Sequence, residues 1–357
     1  MIPLALAASS DAEAPFVTRL AGLEGNDAGG SRCIASSAED SLWSGPHGLL
    51  RIEHSREAVS GDVVLVRPAE GRLDRLLRSG SRHNSLLVTE QCDQLCVMCS
   101  QPPKKTHDDR FDLLRDACLL ADAGMTIGIT GGEPTLHRER LLGMIEDVLA
   151  ARPDLSFHVL TNAQHFRRED VFRLRRPEYS KVVWGIPLYS ADPLTHDRIV
   201  GKVGAYERLI DGFAHLMLAG ARIELRTVLT RTTVDGIVDL ADMVVRDLAH
   251  VEQWSLMGLE NIGFARNRWS ELHVDLRADF APVGHALDVA TLRGVRARLF
   301  NVPLCHVPEP FRHAAVASIS DWKQRFGEAC SACRARSACS GFFEWHPPAL
   351  LEEVTPL

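Results

Sequence analysis

Several features are missing from this 357-residue sequence, and each absence removes a class of protein. No apolar run approaches the ~20 residues of a membrane-spanning helix, so we expect no membrane partner. There is no basic excess: 47 acidic residues face 40 Lys and Arg, and the net charge of −7 disfavours nucleic acid as a partner. No Lys or Arg precedes the short apolar start, which we interpret as a frayed terminus and not a signal peptide. An apolar content of 45% excludes disorder for most of the chain.

The chain divides by pattern into three parts. Residues 1–83 form an N-terminal unit of unknown role, with strand-like apolar patterns at 49–52 and 63–66. We expect either a β-rich cap or a unit that grips a peptide. Residues 84–295 carry a regular alternation of elements, and residues 296–357 carry a group of cysteines.

The alternation after residue 84 predicts βαβ units and therefore an α/β fold with a parallel sheet. Six units fit a partial barrel or a doubly wound sheet, because a closed eight-unit barrel takes about 250 residues. Either fold places the chemistry at the carboxyl ends of the strands. The predicted strands are 85–89, 125–130, 156–161, 181–188, 222–229 and 253–259. The predicted helices are 109–123, 137–151, 168–174, 203–219, 234–249 and 279–290.

Seven of the nine cysteines fall into two tight groups, which favours metal or cluster ligands over disulfides in a chain of this length. The other two are Cys118, predicted to face the core from a helix, and Cys33, to which no role is assigned. The first group directly follows the first strand with the spacing C-x3-C-x2-C: Cys92, Cys96 and Cys99.

Three thiolates at this spacing can hold three irons of a [4Fe–4S] cluster and leave the fourth iron open to a small molecule. A helix that turns its cysteines towards the core is one alternative, weakened by polar residues inside the motif and by Pro102-Pro103 after it. A structural zinc site is the other alternative, with His107 as its local fourth ligand.

A second motif, Gly131-Gly132-Glu133-Pro134, ends the second predicted strand. Its glycines permit a close approach of a ligand to the backbone, and Glu133 supplies a carboxylate for an ammonium group. Together the two motifs resemble the radical S-adenosylmethionine (SAM) superfamily, over about residues 84–265. That resemblance implies a partial (β/α)6 TIM-like barrel.

The resemblance also implies roles for individual residues. Cys92, Cys96 and Cys99 would ligate the cluster that cleaves SAM. The expected SAM-binding residues are Gly131, Gly132 and Glu133 for the methionine amino group, Thr161 and Asn162 at a strand end, Ser190 for the ribose, Arg226 for the carboxylate and Met98 against adenine. The family usually has an aromatic residue where Met98 stands, and a flexible Met can fill that place.

The second cysteine group lies near the end of the sequence, as Cys305, Cys330, Cys333 and Cys339. Its C-x2-C-x5-C part resembles the SPASM/twitch region of peptide-modifying radical SAM enzymes. Four thiolates fit one auxiliary [4Fe–4S] cluster, and structural zinc is the alternative.

The string from Cys96 to Lys104 resembles the HxsC group of the His-Xaa-Ser system. The resemblance implies a cytoplasmic maturase that cleaves SAM to a 5′-deoxyadenosyl radical and abstracts hydrogen from a ribosomally made precursor peptide. A crosslink or another oxidative modification would follow. The implied partners are an HxsB-like second maturase and a flavodoxin- or ferredoxin-type electron donor. Two alternatives stay open: a radical SAM enzyme for a small molecule or a protein, and a non-catalytic sensor that carries clusters.

Overall fold

A computed structural model describes residues 2–22, 30–53 and 58–357 of the chain. The chain separates into two compact units. The first comprises Met1–Val88, Asp108–Thr130 and His137–His158, and the second comprises Thr89–His107, Gly131–Leu136 and Val159–Leu357. The predicted N-terminal unit 1–83 includes residues 1, 23–29 and 54–57, which lie outside the described residues.

Seven short strands of the first unit close into a small barrel in the order β1-β5-β4-β3-β2-β6-β7. They are β1 (Ala5–Ser10), β2 (Phe16–Ala21), β3 (Ser31–Ser36), β4 (Asp40–Gly45), β5 (Gly48–Glu53), β6 (Val63–Arg67) and β7 (Arg72–Leu77). The strand patterns predicted at 49–52 and 63–66 are confirmed as β5 and β6. The interpretation of the start of the chain as a frayed terminus is wrong, because β1 pairs with both β5 and β7 and buries Leu6 and Ala8.

The small barrel also shows where Cys33 lies, a residue to which the sequence assigned no role. In β3 alternate residues face inwards, so Cys33 is 7% exposed and belongs to the apolar core of the barrel with Trp43 and Leu50. Its neighbours Arg32 and Ile34 face outwards, as the two-residue period of a strand requires.

The larger sheet has eight strands in strict sequence order: β8 (Asn84–Thr89), β9 (Thr126–Gly131), β10 (Ser156–Leu160), β11 (Val182–Pro187), β12 (Arg222–Leu229), β13 (Gln253–Gly258), β14 (Ala297–Phe300) and β15 (Ala315–Val316). The registers from β11 to β15 are all parallel. A doubly wound sheet reverses its strand order at a switch point, so the sequential order identifies the predicted partial barrel. The sheet has two strands more than the predicted six. β14 and β15 escaped prediction because they are only four and two residues long.

In the described part of the chain, eleven helices accompany the strands: α1 (Phe111–Leu119), α2 (Arg138–Ala151), α3 (Asp170–Leu174), α4 (Pro193–Val200), α5 (Ala205–Ala219), α6 (Arg231–Asp235), α7 (Ile237–Asp247), α8 (Phe264–Asn267), α9 (Trp269–Leu272), α10 (Ala281–Leu292) and α11 (Pro348–Glu352). All six predicted helices are present, and Cys118 is fully buried on α1 as expected. None of the helices in the described residues is long and apolar enough to cross a membrane.

Helix α4 was missed although its signals are local. Asp192 caps it by accepting a hydrogen bond from Thr195 N, Pro193 occupies its first turn, and Gly201 ends it at a φ of +67°. A cap, an early proline and a terminal glycine are the ordinary start and stop signals of a helix. The helix positions the first cysteine group.

Candidate functional site

The first cysteine group lies on a loop that follows β8 and contains no helix in the described backbone from Gln91 to Pro103. Leu95 N donates to Val200 O (3.0 Å) and Val97 N donates to Ile199 O (2.9 Å), which attaches the loop to the end of α4. Cys99 N donates to Cys96 O (3.0 Å) and closes a tight turn. The alternative of a helix with inward-facing cysteines is therefore wrong.

The three thiols of this loop are free and lie close enough to influence one another. Burial raises the pKa of Cys92 to about 11 and that of Cys96 to about 12. For Cys96, the neighbouring charges of Cys99 and Cys92 raise the pKa further. Three thiolates packed this closely repel one another, and a bound cationic centre would relieve that repulsion.

The zinc alternative needs a fourth ligand near this loop. The candidate, His107, directs its Nδ1 towards Thr89 Oγ1 at 3.0 Å. Among the residues that the structure describes, no three His, Cys, Asp or Glu side chains converge as a site for one metal ion. A cubane does not need such convergence, because each thiolate binds a different iron.

The glycine turn after β9 is fastened to the cysteine loop by backbone hydrogen bonds. Gly132 N donates to Thr89 O (2.8 Å) and Glu133 N donates to Gln91 O (2.7 Å). A Cβ at Gly132 would strike Gln91 O and lie 3.0 Å from Cys92 Cβ. Only glycine permits this approach, so the two sequence motifs form one structural feature.

The carboxylate of Glu133 is buried and accepts four hydrogen bonds from the protein. Oε1 accepts from Thr135 N (2.8 Å), Thr135 Oγ1 (2.5 Å) and Thr161 Oγ1 (2.7 Å), and Oε2 accepts from Asn162 N (2.5 Å). Burial raises its pKa, and the bonds from Asn162, Thr135 and Thr161 oppose that rise. The structure thus gives Glu133 a positioning role that ties the glycine turn to Thr161 and Asn162 after β10.

Asp93 is one of the polar residues inside the cysteine motif, and the sequence assigned it no part in the site. Its carboxylate accepts from Asn162 Nδ2 (2.9 Å), lies 3.2 Å from His165 Nε2 and pairs with Lys202 Nζ. Despite partial burial, the hydrogen bonds from His165 and Lys202 hold its pKa well below the usual range. No spacing rule links residues this far apart, so only the fold brings them together.

Tyr189 was also missed, although its neighbour Ser190 was predicted. Tyr189 is 9% exposed and packs in one apolar cluster with Met98, Ile199 and Val200. Burial raises its pKa, and the charges of Cys96, Cys99 and Cys92 raise it further while that of Arg226 lowers it. The phenol therefore lies near all three thiols, beside the Met98 that the sequence assigned to the adenine contact.

Ser190 and Arg226, the other two predicted SAM contacts, already bond to protein groups. Ser190 Oγ accepts from Asp192 N (3.0 Å) at the start of α4. Arg226 on β12 donates from NH1 to Glu224 Oε2 (2.9 Å), and Glu224 also accepts from Ser255 Oγ. Because Glu224 is 6% exposed, Arg226 neutralises a buried carboxylate as well as facing Tyr189.

The four cysteines of the second group line a common pocket. The pocket holds about 330 Å³ when the solvent at its mouth is included, and Phe326, Phe342 and Val354 complete its lining. Burial raises the pKa of Cys305 to about 11, and the charges of the other three cysteines raise it further. Leu304 N and Gly341 N donate to Cys339 Sγ (3.3 and 3.4 Å), and Leu357 N donates to Cys333 Sγ (3.4 Å).

Comparison with known proteins gives a family match that includes the first site. The model of the radical SAM superfamily matches residues 86–244, which include both motifs of the first site. Residues 86–244 are therefore similar to the radical SAM superfamily. The resemblance read from the two sequence motifs is confirmed at this level.

Two curated relatives and one solved structure illustrate the similarity. A "Probable GTP 3′,8-cyclase" of Sulfolobus acidocaldarius is 23% identical over 199 residues, which are 54% of this chain and 60% of the relative. One of Sulfurisphaera tokodaii is 26% identical over 202 residues, with the same coverages of 54% and 60%. The chain thus spans about three fifths of these curated relatives. The crystal structure of Streptococcus suis SuiB bound to S-adenosylmethionine matches with a TM-score of 0.48 and 17% identity, over 60% of this chain and 49% of that one.

The side chains present fit the [4Fe–4S] cluster and SAM that the radical SAM family implies. The cysteine loop offers three free thiols whose charges repel one another. Three thiolate ligands suit a cubane whose fourth iron is open. The glycine turn packs directly against Gln91 and Cys92, where no side chain fits, so its backbone lies beside the cysteine loop. The enclosed second group, with backbone N–H groups aimed at sulfur, suits a fully ligated cluster.

Proposed function

We propose that this chain is a radical SAM enzyme in which Cys92, Cys96 and Cys99 hold the reactive [4Fe–4S] cluster. The observation that carries the proposal is the attachment of the Gly131–Glu133 turn to the cysteine loop through Thr89 O and Gln91 O. A turn held there aims backbone groups at the space beside the thiols, where a chelating amino acid has to lie. A sensor that only carries a cluster has no need of this turn.

The chemistry that a bound cluster and SAM supply is one-electron cleavage of the S–C5′ bond to methionine and a 5′-deoxyadenosyl radical. The residues of the chain bind and orient SAM and shield the reaction from water. Gly131 and Gly132 present backbone to the methionine part, and Glu133 fixes that backbone through Thr161 and Asn162. Met98 and Tyr189 form an apolar wall that excludes water from the reaction.

We propose that the second group, Cys305, Cys330, Cys333 and Cys339, holds an auxiliary [4Fe–4S] cluster. Four thiols around one largely apolar cavity supply the complete ligand set of such a cluster. It would accept an electron when a substrate radical closes a new bond. Zinc remains the competing occupant, and metal analysis separates the two.

We propose a precursor peptide as the substrate, with the chain acting as an HxsC-like maturase of a ribosomally made peptide. The support is the string from Cys96 to Lys104 and the twitch-like spacing of the second group. An HxsB-like maturase and a flavodoxin- or ferredoxin-type donor are the proposed partners, in the cytoplasm. A crosslink or another oxidative modification is the proposed product class.

A small-molecule substrate is the second candidate, because the two curated relatives are named as probable GTP 3′,8-cyclases. The likeness covers 54% of this chain. A GTP-containing reaction analysed for cyclised product decides between the candidates.

The test of the enzyme proposal is anaerobic reconstitution with iron and sulfide, followed by dithionite, SAM and mass spectrometry of 5′-deoxyadenosine. We expect deoxyadenosine from the native chain and none from Cys92→Ala/Cys96→Ala/Cys99→Ala. The matched control is Cys118→Ala, which removes a buried thiol outside the motif and should retain activity. A fully loaded native chain that leaves SAM intact would overturn the proposal.

A further inference from the structure

A large hydrophobic side chain is exposed in the middle of the first cysteine motif. Leu95, which directly precedes Cys96, is 58% exposed, whereas Gln94 and Met98 of the same loop are buried. Leu95 rests on Gly201 at the end of α4, where a Cβ would lie only 2.8 Å from Leu95 O. The loop therefore presents an apolar side chain to solvent directly beside one of its three cysteines.

A second exposed hydrophobic side chain lies in the segment that supports this loop. Leu95 N donates to Val200 O (3.0 Å), which attaches the loop to the end of α4. Val203 follows three residues later and is 91% exposed. Exposed apolar residues that occur together, with polar residues around them, mark interaction sites.

Three exposed arginines border the two apolar side chains. Arg198 lies in the last turn of α4. Arg208 on α5 donates to Val203 O (2.7 Å), and Arg268 donates to Val97 O (3.3 Å) in the cysteine loop. Because their acceptors here are uncharged carbonyl groups, Arg208 and Arg268 bring net positive charge to this surface.

The acidic side chains of the same region are largely compensated. Asp93 pairs with Lys202. Asp192 and Asp197 accept hydrogen bonds from backbone N–H groups. Glu207, exposed on α5, is the acidic side chain that opposes the arginines. On a chain with a net charge of −7, a group of exposed arginines steers an acidic partner to this place.

The chemistry of the first site requires a reductant on the side of the loop that SAM leaves open. The Gly131–Glu133 turn and the wall formed by Met98 and Tyr189 are assigned to SAM in the proposed function. The electron that cleaves SAM has to arrive while SAM is bound, and electron transfer slows steeply with distance. Leu95 contacts Gly201 and solvent, so its side of the loop is accessible to a reductant.

We propose that Leu95, Arg198, Val203, Arg208 and Arg268 form the docking surface of a flavodoxin that reduces the first site. The identity of the partner as an electron donor rests on the proposed function. A flavodoxin presents the apolar edge of its flavin, which suits the leucine and the valine, and an acidic surround, which suits the arginines. Encounters between redox proteins use small interfaces, so a surface of this extent suffices.

The electron balance of the proposed step is simple. The anionic hydroquinone of flavodoxin loses one electron and becomes the neutral semiquinone. The first cysteine group, loaded with its cluster, receives that electron. No proton moves, and no covalent bond forms or breaks at the docking surface.

Binding tests the surface without relying on turnover. Biolayer interferometry measures the dissociation constant of a bacterial flavodoxin on the reconstituted full chain. Arg198→Glu/Val203→Asp should raise that constant about tenfold, since it removes one ionic and one apolar contact that are each worth a factor of a few. Glu207→Lys should lower it about twofold, and added salt should weaken binding of the native chain.

A matched control carries the same two substitutions at another surface. Leu292→Asp/Arg293→Glu changes an exposed aliphatic residue and its neighbouring exposed arginine at the end of α10. It should bind flavodoxin as the native chain does. No binding by the native chain, native affinity in Arg198→Glu/Val203→Asp, an equal loss in the control, or tighter binding of a ferredoxin than of flavodoxin would overturn the proposal.

Two reductants separate this proposal from the one on which it rests. Dithionite is small and needs no docking surface, so Arg198→Glu/Val203→Asp should form 5′-deoxyadenosine at the native rate with dithionite. With subsaturating reduced flavodoxin, its rate should fall about tenfold. A native rate with both reductants would remove the docking surface alone. Flavodoxin binding in a native chain that forms no deoxyadenosine with either reductant would remove the radical enzyme and leave the surface.

Discussion

The two cysteine groups use the same side chain in opposite surroundings. The loop of Cys92, Cys96 and Cys99 has three thiols and is held from outside, by Val200 and Ile199 at the end of α4 and by the Gly131–Glu133 turn. The group of Cys305, Cys330, Cys333 and Cys339 has four thiols that enclose their own cavity and receive backbone N–H groups directly at sulfur. A site that must admit a second ligand needs support that leaves one side free, whereas a closed site can be supported from all sides.

The largest expected effects come from removing one thiol from either cysteine group. Cys96→Ala should abolish deoxyadenosine formation to the no-enzyme background, because the remaining two thiols cannot hold a cubane with one open iron. Cys330→Ala should retain SAM cleavage and lose product formation from the peptide. Iron analysis should show about four irons per chain lost in each variant, from about eight. Loss of SAM cleavage in Cys330→Ala would contradict the division of roles.

Glu133→Gln tests the external support of the open site. Glutamine retains the shape, but its amide NH2 faces donors at one of the two oxygen positions, so at least one of the bonds from Thr135, Thr161 and Asn162 is lost. We expect a loss of about 2–3 kcal/mol in the free energy of unfolding, because the partner of a buried charge-assisted hydrogen bond is left unsatisfied. Urea unfolding measures it.

The same variant should weaken SAM binding more than it affects iron content. Equilibrium dialysis of SAM with the reconstituted variant checks this, and Glu90→Gln, a more exposed carboxylate paired with Lys104, serves as the control. Unchanged SAM affinity would remove the positioning role of Glu133.

Asp93→Asn is expected to have a smaller effect. The change keeps the bond to Asn162 feasible but removes the charge that pairs with Lys202. We expect about 1–2 kcal/mol of lost stability and a faster loss of iron from the first site only. Lys202→Met should reproduce the iron loss, measured as chelator-accessible iron over time. Equal iron loss from the second group would show a global effect.

Cys118→Ala should have the smallest effect. The thiol is fully buried on α1 and touches neither group, so its loss costs about 1 kcal/mol for the small void that forms. Iron content and SAM cleavage should remain at the native level. A loss of iron in this variant would show that the assignment of thiols to the two groups is incomplete.

Sequence patterns predicted local features well and long-range contacts poorly. The predicted strand at 222–229 matches β12 in both bounds, because the alternation of polar and apolar residues is a local signal. The short β14 and β15 carry too few residues for such a signal. The two motifs identified the site, since their residues are close in sequence. The bonds from Asp93 to Lys202 and from Glu133 to Asn162 join distant segments and required the fold.

The structure also adds a contact at a residue for which the sequence predicted another partner. Arg226, predicted as a partner for the SAM carboxylate, pairs with Glu224 on its own strand, because residues two apart on a strand face the same side.

The most direct test of the central claim is Mössbauer spectroscopy of ⁵⁷Fe-reconstituted protein with and without SAM, in the native chain and in a variant with all four C-terminal cysteines changed to alanine. The account predicts that SAM alters the signal of one iron in the first cluster, equally in both proteins, and leaves the second cluster unchanged. A SAM-dependent change that disappears with the C-terminal cysteines, or no change in either protein, would contradict it.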